Sequence, residues 1–284
     1  MPRISYVNGQ YLQHDRAGVH IEDRGYQFSD AIYEVIAIVG DRLIDERLHF
    51  ERLERSLSEL QIRMPFSRKH FLLKIRELLR LNRIRNGSLY IQISRGVAKR
   101  DHKFPRNAKP AVVMTVRPLA PPPADLVRDG VRIVTVPDIR WKRPDIKSVS
   151  LLPNILAKES AVRDGAYEAW QVNEADGTVT EGTSTNAWIV IGNSLITHAP
   201  DHAILNGVTR LALLEMAREE GLMIEERSFS VEEARAANEA FLTSTTAFIM
   251  PIVRIDDSVI GDGKPGRYTR ALLDRYTGHI WNAT

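Results

Sequence analysis

Asp145-Ile146-Lys147-Ser148, downstream of the basic run Arg140-Trp141-Lys142-Arg143, puts a lysine where a strand pattern gives way to a helical one. A lysine attacks carbonyl carbon only when burial or a neighbouring cation lowers its pKa, and Arg140, Lys142 and Arg143 are near in sequence. A solvated lysine in a basic loop would read the same way. A second stretch, Thr178-Val179-Thr180-Glu181-Gly182-Thr183-Ser184-Thr185-Asn186, sets Glu181 just past a strand pattern, where its carboxylate faces either a ring nitrogen or solvent. A third, Leu205-Asn206-Gly207-Val208-Thr209-Arg210, opens a helical pattern through Leu211, Leu214 and Ala217. Free amides and the positive end of the helix dipole suit a phosphate, with the Thr209 hydroxyl as a further donor, although Asn206 and Thr209 could equally cap the helix.

Other residues add weaker signals. Ser244-Thr245-Thr246 ends a strand pattern and could give hydroxyl and amide donors to the same phosphate, and Arg52 could supply charge from the first long helix. In Arg100-Asp101-His102 the two cationic donors alternate, so extended backbone would point both one way, as a clamp for a carboxylate. Tyr33 is either a phenol donor or a core aromatic. The stretch Gly261-Asp262-Gly263-Lys264-Pro265 lacks the spacing of a P-loop, and Pro200 between His198 and His202 argues against a helical metal pair, so no metal is expected.

The elements that must carry these groups are legible in outline. Asn8-Gly9 between two short apolar runs marks a tight hairpin, and a strand over Ile32 to Val39 turns back at Gly40-Asp41. Helical spacing follows at Leu48, Phe50, Leu53, Leu57 and Leu60, and again at Phe71, Leu72, Ile75, Leu78 and Leu79, before strands at 89–94 and 111–116. Pro121-Pro122-Pro123 can join neither a central strand nor a helix interior, so residues 119–125 read as a linker between a domain of residues 1–118 and one of 126–284. The second half alternates strands (131–136, 168–172, 187–191, 195–197, 223–226, 240–243) with helices (154–163, 208–220, 231–236, 268–276). The expected architecture is mixed α/β in two domains with a ligand cleft between them.

Composition bounds the function. The 284 residues suffice for a full core; 43% are hydrophobic and 26% charged, as in ordinary globular proteins. With no cysteine, disulfides, thiol catalysis and cysteine-bound zinc are excluded. Met1-Pro2-Arg3-Ile4-Ser5-Tyr6-Val7 has no apolar signal core and no run is long enough to span a bilayer, so a cytoplasmic protein without membrane contact is expected. A net charge of +3 from 39 basic and 36 acidic residues, interspersed, gives no strong case for nucleic acid, and Lys74 to Arg85 reads as the wet face of an amphipathic helix. A non-catalytic basic binding protein using that helix remains the rival from another class.

An amine, a carboxylate and a phosphate cradle are the handles of pyridoxal 5′-phosphate. With Glu22-Asp23-Arg24-Gly25-Tyr26-Gln27-Phe28, Tyr33-Glu34-Val35, Arg100-Asp101-His102, Thr180-Glu181-Gly182, Gly207-Val208-Thr209-Arg210 and Thr243-Ser244-Thr245-Thr246, in this order, the chain resembles the fold-type IV pyridoxal-phosphate aminotransferases, above all those acting on D-amino acids. The resemblance implies that Lys147 holds the cofactor as a Schiff base and shuttles the α-proton, and that Glu181 pairs with the pyridine nitrogen. It further implies that Arg52, Val208, Thr209, Thr245 and, more weakly, Ser244 hold the phosphate, with Arg140 orienting Glu181. Family members are homodimers with shared sites, so Arg100 and His102 would reach into the partner's site and grip the substrate carboxylate alongside Tyr33. The implied reaction is a ping-pong exchange of D-alanine and 2-oxoglutarate for pyruvate and D-glutamate. An L-branched-chain aminotransferase and an aminodeoxychorismate lyase are the enzyme alternatives. Thr183-Ser184-Thr185 departs from the family's serine-rich stretch, which leaves side-chain preference open.

Overall fold

A computed structural model describes residues 3–282; Met1 and Pro2 of the N-terminal stretch, and the last two residues of the expected second domain, lie outside it. The chain forms two compact units, one of residues 1–120 with 146–150, the other of 121–145 with 151–284. The boundary falls within the expected linker at the prolines, but the lysine segment, expected in the second domain, groups with the first. Tyr33 N–H donates to Lys147 O (2.9 Å), Val149 N–H donates to Ala31 O (3.1 Å), and Ile32 bridges Ser148. Ile146 is buried in the first unit's core, so pairing with a strand outweighs chain order.

The first unit opens with β1 (Ile4–Val7) and β2 (Gln10–Gln13), joined through Asn8 and Gly9 at φ 47° and 100°. A short helix, α1 (Arg24–Phe28), follows, which no apolar spacing in Arg24-Gly25-Tyr26-Gln27-Phe28 marks. Asp23 caps it, accepting from Gly25 N–H. Next come β3 (Ala31–Val39), β4 (Arg42–Leu43), α2 (Glu46–Glu59), α3 (Arg68–Asn82), β5 (Gly87–Ser94) and β6 (Ala111–Pro118). The six strands form one antiparallel sheet in the order β2-β1-β6-β5-β3-β4. Phe50, Leu53 and Leu57 of α2, and Phe71, Ile75 and Leu78 of α3, bury their apolar stripes with Ile32, Ile36, Leu89, Ile91 and Met114 of the sheet. The full burial of a side chain such as Leu78 is worth about 1.5–3 kcal/mol.

The second unit begins with α4 (Ala124–Asp129), a helix inside what reads as linker, because Pro123 can precede a helix though it cannot continue one. The further elements are β7 (Val131–Pro137), α5 (Leu152–Arg163), β8 (Glu168–Asn173), β9 (Thr178–Gly182), β10 (Asn186–Ile191), β11 (Ser194–Thr197), α6 (Val208–Glu219), β12 (Met223–Glu226), α7 (Val231–Arg235), β13 (Glu239–Ser244), β14 (Phe248–Ile255), β15 (Ser258–Val259) and α8 (Arg267–Asn282). Nine strands form a mixed sheet, β12-β11-β10-β13-β14-β7-β8-β9 with β15 on β14. β14 escapes a sequence reading because Pro251 interrupts it; in the structure its ladder with β7 starts one residue later, at Ile252 opposite Val131. Paired residues Trp188 and Phe241 stack at 5.6 Å across the β10/β13 ladder, both fully buried.

Candidate active site

The first unit carries the lysine. Lys147 is half-buried, with its backbone fixed on β3 and its amide donating to Ser56 Oγ on α2 (3.3 Å). Its Nζ lies 4.3 Å from the ring centroid of Tyr33, which stacks on Tyr90 at 5.8 Å. Burial first, then the Tyr33 phenol, pushes the Tyr90 hydroxyl up to about 12, so it stays protonated and donates to Gln92 Oε1 (2.7 Å). Beside Tyr33 on β3, alternation turns Glu34 to the other face. There it accepts from Arg52 (Nη2 2.6 Å, Nε 3.0 Å) and meets His49 Nδ1 at 2.9 Å, both on α2 one turn apart. Burial would raise the Glu34 carboxyl, but Arg52 and His49 outweigh it and hold the group well below the usual carboxylate range. His49 is pushed down, chiefly by burial and against the pull of Glu34. Arg52 is thus a guanidinium fixed by a buried ion pair.

Arg100 and His102 lie on an exposed loop after β5. They meet around one aromatic: the Arg100 guanidinium is 4.7 Å from the Phe28 centroid, and the His102 ring 5.6 Å from it.

The second unit carries the carboxylate. Glu181 stands within β9, where the sequence placed it just past the strand, and is 6% exposed. Arg140 Nη1 donates to it, Leu205 N–H donates to both its oxygens (3.1 Å), and Asn186 Nδ2 donates to Oε2 (3.1 Å). Arg140 also donates to both oxygens of Asp138 (3.0 and 2.7 Å), to Thr180 Oγ1 and to Ala203 O. Burial works against the charge on Arg140, but Glu181 and Asp138 outweigh it and raise its pKa; burial would likewise raise Asp138, and Arg140 lowers it. Arg140 and Asp138 stay ionised. Asp138, Asn186 and the Leu205 amide were given no role from the sequence: Asp138 lies two residues from Arg140, and Asn186 and Leu205 stand at the ends of the stretches 178–186 and 205–210, but only the fold brings them to Glu181 and Arg140.

Asn186 also ties this carboxylate to the start of α6. Its Nδ2 donates to Leu205 O (2.9 Å), and a Cβ on Gly207 would stand 2.1 Å from its Oδ1, so any larger residue there must displace the Asn186 amide. Among the described residues no side chain caps α6, which leaves Val208 and Thr209 at an uncapped helix start. Thr209 is buried, with Tyr276 O–H 3.4 Å from its hydroxyl. Ser244 Oγ accepts from Ala247 N–H (3.0 Å) in the turn that contains Thr245. Thr185 Oγ1 is buried without a partner among the described residues. A carboxylate paired with Arg140, an uncapped helix start and the hydroxyls of Thr185, Thr209 and Ser244 suit a cationic ring bearing a phosphate. Among the described residues, no cluster that could hold a metal is found.

A family model for class IV amino-transferases matches residues 31–255. The chain belongs to that family. Over 275 residues, 97% of each chain, it is 40% identical to a D-alanine aminotransferase of Staphylococcus haemolyticus. The branched-chain amino acid aminotransferase of Escherichia coli has the same fold, with a TM-score of 0.93 at 21% identity, covering 100% of this chain and 96% of that one. The branched-chain aminotransferase of Thermobaculum terrenum, solved in its pyridoxal-phosphate form, superposes with a TM-score of 0.84 at 26% identity, covering 100% and 95%. This class IV enzyme is a pyridoxal-phosphate-dependent aminotransferase of mixed α/β fold.

Proposed function

We propose that the enzyme moves the amino group of D-amino acids, D-alanine among them, to 2-oxo acids such as 2-oxoglutarate. The observation that carries this reading is the full-length likeness to a D-alanine aminotransferase, at nearly twice the identity shared with the E. coli branched-chain enzyme. The pair Arg100 and His102, gathered on Phe28, supplies a matching device: two donors for a substrate carboxylate, with Tyr33 as a third. Pyridoxal 5′-phosphate, when bound, supplies a ring that accepts the electron pair left when the substrate α-carbon loses its proton.

In this reading Lys147 Nζ takes that proton and returns it, and the Tyr33 ring beneath the amine limits its sweep. Glu181 keeps the ring nitrogen protonated, and Arg140 orients Glu181. Arg52, the Val208 amide, Thr209, Ser244 and Thr245 hold the phosphate, with Arg52 aimed by Glu34. The enzyme works as a cytoplasmic homodimer, each subunit lending Arg100 and His102 to its partner. Formation of glutamate from 2-oxoglutarate, followed by chromatography with D-alanine or L-leucine as the amino donor, tests the reading. Turnover of D-alanine and none of L-leucine is expected, and the reverse preference would assign the L-branched-chain reaction.

A further inference from the structure

The loop that bears Arg100 and His102 is exposed, yet a clamp is useful only if its donors are held in place. Among the described residues, Arg24 sends a long-range hydrogen bond into the loop between the two clamp residues. Its Nη1 donates to Asp101 O at 2.6 Å, between the two clamp residues, and its Nε donates to Asp30 Oδ2 at 2.7 Å. The same guanidinium lies 4.7 Å from the centroid of Phe28, the ring that also meets Arg100 and His102. Arg24 is 3% exposed.

What holds Arg24 is rigid. Asp30 is gripped a second time by Arg95 (Nε 2.8 Å, Nη2 3.0 Å), and Arg95 is anchored on Leu60 O and Gln61 O. Arg95 also lies 3.6 Å from the centroid of Phe104, beyond the clamp. Backbone bonds lace the two segments together: Arg24 N–H to Gly96 O (3.0 Å), Arg95 N–H to Asp30 O (3.0 Å), Ala98 N–H to Glu22 O (3.3 Å). A Cβ on Gly25 would stand 2.9 Å from Ser94 Cβ, so α1 cannot draw away from β5 without loss of packing. The frame ends at Arg24, and Arg24 ends on the clamp.

We infer that Arg24, fixed by Asp30 and lying on Phe28, is a positioning residue that sets where Arg100 and His102 point. The inference rests on the reading of that pair as the carboxylate clamp. Both substrates of the exchange carry an α-carboxylate, so a displaced clamp weakens both and leaves proton transfer at Lys147 alone.

The test is steady-state kinetics of the cofactor-loaded enzyme, varying D-alanine and 2-oxoglutarate in turn, for wild type, Arg24→Lys, Phe28→Leu, Arg100→Ala and Arg24→Lys/Arg100→Ala. Lysine cannot bond Asp30 and Asp101 O at once in the planar fork geometry of arginine. Arg24→Lys and Phe28→Leu are expected to raise KM for both substrates about tenfold with kcat changed less than about threefold, and Arg24→Lys to add less than that tenfold on the Arg100→Ala background, the remainder coming from the displaced His102. If Arg100→Ala raises both KM values while Arg24→Lys and Phe28→Leu leave them unchanged, or only lower the melting temperature, the inference is overturned and the clamp reading stands. If Arg100→Ala leaves KM unchanged, the clamp reading itself fails. Should Arg24→Lys not fold, Asp30→Asn, which weakens the hold on Arg24 without touching Phe28 or the clamp, decides the matter by the same KM readout.

Discussion

Replacing Arg140 with methionine removes the cation from between two carboxylates. The Arg140 side chain is 3% exposed, those of Asp138 and Glu181 13% and 8%, so solvent screens little of the loss. Methionine fills similar volume, which isolates the electrostatic effect. Breaking a buried ion pair from one side costs about 3–5 kcal/mol, because the remaining charges stay desolvated and unpaired. The pH dependence gives a second handle. Asp138 has a depressed pKa in the folded wild type, so its contribution is present above the ordinary value of 3.8 and is lost as the pH falls through the folded value. Without Arg140, burial dominates and raises Asp138, so protonation relieves the variant under mild acid. Urea unfolding from pH 7 down to pH 4 should therefore show a deficit of about 3–5 kcal/mol at neutrality that shrinks with acidity. A deficit below about 1 kcal/mol, typical of exposed pairs, or one that does not change with pH, would refute the account of this network.

Lys147→Ala should reduce turnover by at least about a thousandfold, within the range for a lost proton-transfer group, while the protein still folds; normal activity in that variant would remove Lys147 from the chemistry. His49 has a pKa pushed below 6.5, so the unfolded chain takes up its proton first and stability falls as pH drops below that value. That slope, up to about 1.4 kcal/mol per pH unit, should flatten in His49→Gln, as followed by urea midpoints. Gly207→Ala drives a Cβ to 2.1 Å from Asn186 Oδ1 and should cost about 1–3 kcal/mol while weakening cofactor affinity in a titration; unchanged affinity would detach α6 from the phosphate.

Long apolar periods made α2, α3, α6 and most strands readable, because burial imposes a period that local sequence must satisfy. α1 and α4 were missed because Arg24-Gly25-Tyr26-Gln27-Phe28 shows no apolar spacing and α4 follows directly on three prolines, whereas α7, as short as α1, was read. The proline in β14 concealed a central strand, and the ladder of β3 with Lys147 is a pairing between distant residues that leaves no trace in either segment alone. The site followed the same rule. Lys147, Glu181 and the Gly207 helix start stand out by residue type at an element boundary. The contacts of Glu181 with Asn186 and Leu205, of Arg52 with Glu34 and His49, and of Arg24 with Asp101 exist only once the chain has folded.

The most direct measurement is the visible absorption spectrum of the purified enzyme, recorded before and after addition of D-alanine and, separately, of L-leucine. The account predicts a yellow protein whose cofactor band is bleached by D-alanine and not by L-leucine, and a Lys147→Ala variant in which D-alanine leads to no turnover. Bleaching by L-leucine alone, or a protein that stays colourless when pyridoxal 5′-phosphate is supplied, would contradict it.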